Sequence, residues 1–505
     1  MKSYFESERY LESKNYFEGT LSEELLAEFE YLPTTKALLE KCRAHFASLP
    51  AITDTKNTVT YGELYDRVAH RRALLDEKQI PAGGHVGVMC RNNIDAAEWF
   101  LAVTSSGRVL MMMPVSLNAQ AIAGISAKFD YNAIVADSEF LPLTDGLKIP
   151  VINAGDTSEN TSPAADVEKD TVAAIFFTGG TTGSPKGAVL THGALMRGSR
   201  NGCIYKGNTL HKKTIMMLPL SHIFGAVMGF LSGLYAGDTL CTCPDVKSGI
   251  GLIPVFRPTT LVLVPGIVEI ILGIAGMKGA AFLGDLHMIL CGAAPVPPRL
   301  MTEFRKYGIN LLAGYGLTEG ANLTAGNFNT DTKPHSMGHI YPGQDYKVVD
   351  GELWIKGDNV MLGYYKDPEK TAEVLDSDGW LHTGDLVSFD DEHFITITGR
   401  RKNIILLPNG ENVSPEEIED LFYQSPMVRD CLVREDIMGG HAVLAIEILP
   451  VAQAFAGKSD EEIEAALTGL MQYINKTLPP FKRIAKLTVR KEDFKRTGAM
   501  KVSRI

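Results

Sequence analysis

The chain has 505 residues, enough for a sizeable core and, at roughly 150 residues per domain, for about three units or one large domain with a small one. Hydrophobic residues (45%) and charged residues (22%) stand in ordinary globular proportion. A balance of 49 Lys+Arg against 60 Asp+Glu, net charge -11, excludes a general nucleic-acid binder but leaves room for a local basic pocket.

The N-terminal stretch MKSYFESERYLESKNYFEG is polar and acidic with no apolar core, so no secretory signal is expected. Seven cysteines, an odd number with a lone Cys241-x-Cys243 pair, argue against a disulfide framework and a zinc site. The expected compartment is the cytoplasm.

From about residue 50 to 310, short apolar runs alternate with amphipathic ones. Strands are expected at 85–90, 109–115 and 131–137, with helices at 94–107 and 118–129 between them. Ile215 to Gly237 carries no charge and is long enough to span a bilayer. It also holds Pro219, Ser221, His222, Ser232 and four glycines, and so reads as a buried strand, Ile215–Leu220, and an apolar helix, Phe224–Tyr235. No stable membrane insertion is expected. Further strands are expected at 239–244, 260–266 and 288–295, and helices at 267–277 and 298–308.

The pattern changes near residue 340. Asp350-Gly351 signals a hairpin, and 386–399 looks like a second. After the charged GRRKN (399–403), Ser414-Pro415 opens a helix. Two strands and the helix 459–478 then complete a compact α+β unit. The fold class is therefore α/β: a large N-terminal domain, residues 1–399, of parallel βαβ sheets plus a small antiparallel β region, and a small α+β C-terminal domain, residues 400–505.

The strongest local signal is FFTGGTTGSPKG, 176–187. A buried strand runs into Thr178, Gly179, Gly180, Thr181, Thr182, Gly183 and Ser184, followed by Lys186. Glycines let backbone amides approach an oxyanion, hydroxyls donate to it, and the lysine adds charge, so the loop suits a polyphosphate. It is not a Walker loop, whose Gly-Lys-Ser/Thr ending it lacks.

This loop closely resembles that of the adenylate-forming superfamily: acyl- and aryl-CoA synthetases, adenylation domains of peptide synthetases, and beetle luciferases. The usual form is T-S-G-T-T-G-x-P-K-G, with Gly179 here in place of the serine. PLSHIFG (219–225), CGAAP (291–295), YGLTEG (315–320), LHTGDL (381–386), GRRKN (399–403) and TGAMKVSR (497–504) follow in the family's order. The resemblance covers about 60 to 504 and is most like a fatty-acyl- or aryl-CoA ligase.

The resemblance implies that the loop, with Gly292, Ala293 and Ala294, binds ATP. It places Tyr315 and Gly316 at the adenine, Thr318 at the α-phosphate, Asp385 on both ribose hydroxyls and Arg400 at ribose or phosphate. Glu319, with Thr178, would hold Mg²⁺. Lys501, Lys186 and His222 would be catalytic, Lys501 contacting both the carboxylate and the α-phosphate. In the family the residue before that lysine is usually glycine; here it is Met500. Arg401 and Lys402 read as a solvated face. Asn403 sits at the family's hinge, a position more often Asp, Glu or Lys, and implies a mobile C-terminal domain. Gly410 and Glu411 would lie near the pantetheine tunnel.

His222, Phe224, Gly225, Ala226, Gly292, Ala293 and Gly316 are the expected walls of the acid pocket. No Asp or Glu occurs from Ile215 to Gly237 to pair a substrate ammonium, which favours a plain carboxylic acid over an amino acid. A fatty acid is the first choice and an aryl acid the second. The expected reaction makes acyl-AMP from acid and ATP, then passes the acyl group to coenzyme A. The alternatives are loading of an acyl or peptidyl carrier protein through its phosphopantetheine, a luciferase-like oxidation, and a binding protein that kept the fold without the chemistry.

Overall fold

The computed structural model describes residues 8–178, 185–407, 412–438 and 441–495. Its spine is a seven-stranded sheet in the order Gly363–Tyr364, Lys186–Thr191, Val172–Thr178, Val109–Met112, His85–Met89, Tyr131–Ala136, Val151–Asn153. The last five run parallel, as β-branched runs separated by helices require. The helix Ile94–Ser105 is buried almost all round, matching its apolar composition, and Asn93 caps it by accepting from the Ala96 amide at 2.8 Å. Lys186–Thr191 and Gly363–Tyr364 join antiparallel, so the sheet is mixed where the sequence suggested parallel pairing. The strands on either side of the glycine-rich loop thus face each other, with Thr178 opposite Lys186.

A five-stranded sheet runs Thr260–Leu263, Met288–Cys291, Asn310–Leu317, Asn322–Asn327, His339–Ile340. Its first two pairings are parallel and its last two antiparallel. A short sheet joins Thr58–Thr60, Pro50–Thr53, Thr239–Thr242 and Lys213–Met216. An antiparallel sheet of Gln344–Val349, Glu352–Gly357, Leu381–Phe389 and Ile395–Arg400 realises both expected hairpins. Asp350 and Gly351 both have positive φ, 49° and 79°, which a tight two-residue hairpin needs.

The segment 215–237 is not one span, and among the described residues no helix is long and apolar enough to cross a membrane. The strand ends at Met216, four residues earlier than expected. Pro219 lacks the amide a longer strand would use. Asn92 takes the freed groups instead, donating to the Met216 and Leu218 carbonyls at 2.9 and 2.7 Å and accepting from the Leu220 amide at 3.2 Å. The helix that follows is a π-helix over Phe224–Leu231, closing to α-helix only at Ser232–Tyr235.

Beyond residue 400 a second hydrophobic core gathers around Val413, Ile418, Phe422, Ile446 and Leu467, separate from the main one. The expected boundary at 399/400 falls inside the strand Ile395–Arg400. Ser414 does precede the helix Pro415–Tyr423, but its hydroxyl donates to the Thr398 carbonyl at 2.8 Å and does not cap the helix amides. A third strand, Ile484–Val489, pairs parallel with His441–Pro450 and had no distinct sequence signal.

Candidate active site

YGLTEG lies where the strand Asn310–Leu317 turns back on itself. A bulge between Tyr315 and Gly316 brings the Asn322 carbonyl so close that a Cβ on Gly316 would stand 1.3 Å from it, so only glycine fits. Ala321 and Asn322 complete the reversal at φ 48° and 89°.

The buried Tyr315 hydroxyl donates to Asp385 Oδ2 at 2.5 Å. Asp385 is also buried and stands in register opposite Arg400, whose Nε lies 2.6 Å from Oδ1. Burial first, and then the Asp385 charge, push the Tyr315 phenol well above its ordinary range. Asp385 likewise raises the Arg400 guanidinium. Both oxygens of the expected ribose acceptor therefore already have partners, though a carboxylate keeps lone pairs for more. Tyr315, expected at the adenine, is tied to Asp385.

Glu319 follows in the turn Thr318–Gly320 and accepts from the Tyr364 hydroxyl at 2.7 Å. The Lys186 ammonium sits 4.6 Å from the centre of the Tyr364 ring. Burial, then Glu319, raise the Tyr364 phenol. Tyr364 is the joint between the phosphate-loop strand and the expected metal carboxylate, and no sequence signal singled it out.

Arg401 and Lys402 are both exposed, as a solvated face requires. Arg401 pairs with Glu352 at 2.7 Å. Desolvation and then Arg400 lower the Lys402 ammonium from its ordinary range. Lys186 and Glu319 meet through Tyr364, and Arg400 pairs with Asp385 within reach of the Glu319 charge, so two cations and two carboxylates gather here.

Beside that cluster lies an apolar seam. Gly292 follows the strand Met288–Cys291, and a Cβ there would stand 2.9 Å from the Gly314 carbonyl and 3.4 Å from the Phe224 ring. Ala293 adopts φ 65°, the left-handed region, and Ala294 is half-buried next to it. Phe224 begins the π-helix. Its amide donates to His222 Nδ1 at 3.3 Å, which leaves the neutral ring's proton on Nε2. A Cβ on Gly225 would stand 2.3 Å from the Pro219 carbonyl. Of the expected walls, Gly292 and Phe224 meet directly, while Gly316 packs against Asn322. Gly179, Gly180, Thr181, Thr182, Gly183, Ser184, Gly410, Glu411, Met500 and Lys501 lie outside the described residues.

Residues 39–365 match the model of the AMP-binding enzyme family, and residues 402–505 match that of the AMP-binding enzyme C-terminal domain. The 4-coumarate–CoA ligase-like 2 of Arabidopsis thaliana is 31% identical over 392 residues, covering 72% of this chain and 67% of that protein. The medium-chain fatty-acid–CoA ligase of Escherichia coli (strain K12) is 34% identical over 315 residues, 59% of this chain and 55% of that one. Among solved structures, the anthranilate CoA ligase AuaEII in complex with anthranoyl-AMP superposes with a TM-score of 0.83 at 20% identity, covering 94% of this chain and 96% of that one, and so shares the fold. On the match over residues 39–365, this chain belongs to the AMP-binding enzyme family.

Proposed function

We propose that the protein is an AMP-forming acid–thiol ligase that joins a carboxylic acid, a fatty acid by preference and an aryl acid second, to coenzyme A at the expense of ATP. The observation that carries this reading is the convergence of Lys186, Glu319, Asp385 and Arg400, linked through Tyr364 and Tyr315, near the apolar seam at Phe224 and Gly292. In the first step a carboxylate oxygen attacks the α-phosphorus and the bond to pyrophosphate breaks. Two anions must meet, so the cations stabilise the charge that moves onto pyrophosphate. Lys186, joined to Glu319 through Tyr364, is placed to serve, and Lys501 is assigned the same work from the opposite lobe. Asp385, held by Tyr315 and Arg400, orients the ribose.

In the second step a thiol sulfur attacks the acyl carbon and AMP leaves. The thiol comes from outside. All seven cysteines are free and buried, and burial pushes Cys203, Cys241 and Cys243 up to about 12. Cys291, one residue from the seam, is shifted the same way. Free thiols in this number also suit a reducing cytoplasm. The donor set fits Mg²⁺: Glu319 supplies one carboxylate, Thr178 a hydroxyl, and a nucleotide-bound magnesium needs only one or two protein carboxylates. The ion would neutralise phosphate charge. We set the domain boundary at 399/400, with the hinge near Asn403.

The test is a pyrophosphate-release screen over fatty, aryl and amino acids, with and without coenzyme A. Fatty or aryl acids should release pyrophosphate and form a thioester. Release without thioester formation from coenzyme A would move the acceptor to a carrier protein, and release only with amino acids would overturn the assignment.

A further inference from the structure

Tyr364 is fixed from two sides at once. The Met361 amide donates to the Glu319 carbonyl at 2.8 Å, while the Leu362 and Tyr365 amides donate to the Val189 and Gly187 carbonyls at 2.9 and 2.8 Å. The same short segment is therefore stitched to the Glu319 turn and to the strand that begins at Lys186. Gly363 turns the chain between them at φ 141°, where a Cβ would stand 2.8 Å from Thr371. The Tyr364 amide donates to the Thr371 hydroxyl at 2.9 Å, and the side chain is buried.

Strand register brings the lysine to it. Tyr364 stands opposite Ala188 in an antiparallel pair, and Lys186, two residues from Ala188, lies on the same face. A diagonal neighbour of that kind is within reach of a long side chain, and the Lys186 ammonium sits over the ring, 4.6 Å from its centre. The hydroxyl, at the ring's edge, donates to Glu319 Oε1 at 2.7 Å. The ring thus turns its face to a cation and its edge to a carboxylate, and among the described residues the two charges meet only through it. Lysine is a point charge on a flexible stem, and opposite charges attract strongly in a partly buried site. Without the ring, the ammonium would fold onto Glu319, and incoming phosphates would have to break that pair.

We propose that Tyr364 is a positioning residue that holds Lys186 and Glu319 apart in the empty site and so keeps the ammonium free for the phosphates of ATP. The inference rests on the ligase reading, which assigns Lys186 to the nucleotide. An aromatic face holds an ammonium less tightly than a carboxylate does, so phosphate oxygens displace it readily.

The experiment measures ATP binding by calorimetry in EDTA, where no metal screens Glu319, and again in magnesium. Tyr364→Leu removes both ring and hydroxyl and should weaken metal-free binding by about tenfold, the scale of one lost charge contact. Glu319→Gln removes the competing anion. It should strengthen metal-free binding in the wild-type background, and by about fivefold more in the Tyr364→Leu background, where it also releases the trapped lysine. Arg400 feels the Glu319 charge too, but in both backgrounds, so its share cancels from the double-mutant cycle. Tyr364→Phe keeps the ring and frees the carboxylate oxygen; its coupling to Glu319→Gln should have the same sign and be smaller, about twofold.

Additive cycles overturn the inference, because a tyrosine that serves only the fold loses binding whether or not position 319 is charged. Metal-free ATP that the wild type binds no better than Tyr364→Leu does overturns it as well, since no ammonium is then being kept free. Either result leaves the ligase reading standing so long as ATP binds in magnesium. A wild-type protein that gives no heat with ATP in either condition sinks the ligase reading itself. If Tyr364→Leu does not fold, the Tyr364→Phe cycle decides alone.

Discussion

Gly316 shows how one residue fixes the geometry of the proposed nucleotide site. The Asn322 carbonyl occupies the space of its missing Cβ, and the same bulge sets the direction in which Tyr315 reaches Asp385. Gly314, two residues earlier on the same strand, is the control, because a Cβ there would meet the tip of Leu323 at 3.4 Å and the Ala325 carbonyl at an ordinary 3.8 Å. Gly316→Ala should cost at least about 3 kcal/mol, more than overpacking usually does, since the obstruction is backbone. Gly314→Ala should cost under about 1 kcal/mol. Urea midpoints of the two variants give the comparison, and equal midpoints would refute it. ATP–pyrophosphate exchange should fall only in Gly316→Ala.

At the scale of elements, the π-helix Phe224–Leu231 carries both the proposed acid seam and its constraints. Gly225 and Gly229 share one helix but have opposite surroundings. A Cβ on Gly225 would strike the Pro219 carbonyl at 2.3 Å, whereas one on Gly229 would meet nothing within 4 Å. Gly225→Ala should therefore destabilise by about 1–3 kcal/mol. Gly229→Leu should leave the urea midpoint near wild type and shift the acid preference towards shorter chains by filling the seam. A Gly229→Leu variant with an unchanged chain-length profile would place the acid elsewhere.

The same stretch shows what the sequence could tell and what it could not. The parallel strands, the buried helix Ile94–Ser105 and both antiparallel hairpins were legible, because period and turn residues are local properties. The early end of the strand at Met216 was not, because it depends on Asn92, distant in sequence. The joint at Tyr364 escaped for a similar reason. The family was legible because glycine and hydroxyl spacing in the loop 176–187 and in YGLTEG is a local requirement. The partners that tune them come from other elements.

Over the whole molecule, two cores answer to different titrating groups. In the smaller one the helix Pro415–Tyr423 is tied to the proposed pivot, with Asn403 donating to Glu416 at 2.6 Å and Ser414 to Thr398. Asn403→Pro would remove that bond and stiffen the backbone. It should lower overall thioester turnover more than ATP–pyrophosphate exchange; equal rates of both to wild type would count against a pivot there. In the larger core His192 and His339 are buried, and burial lowers both to about 4. The unfolded chain takes up those protons near pH 6.5 and the folded chain does not until about pH 4. Their contribution to stability is therefore complete above pH 6.5 and is lost as pH falls from there towards 4. Carboxylates with lowered values, such as Asp390, weaken the fold only below about pH 4, outside that window. Asp238 and Glu269, raised chiefly by burial, oppose the histidines. Asp420 in the smaller core, raised to about 7 by burial and then Glu416, also gains stability on acidification. The net slope is a difference, and one substitution isolates the histidine term. His192→Gln keeps a polar side chain without the titration. Its loss of unfolding free energy between pH 7 and pH 5, measured in urea, should be smaller than the wild-type loss by roughly 2 kcal/mol. An identical loss in the two proteins would mean that the His192 ring takes up its proton in the folded chain as readily as in the unfolded one.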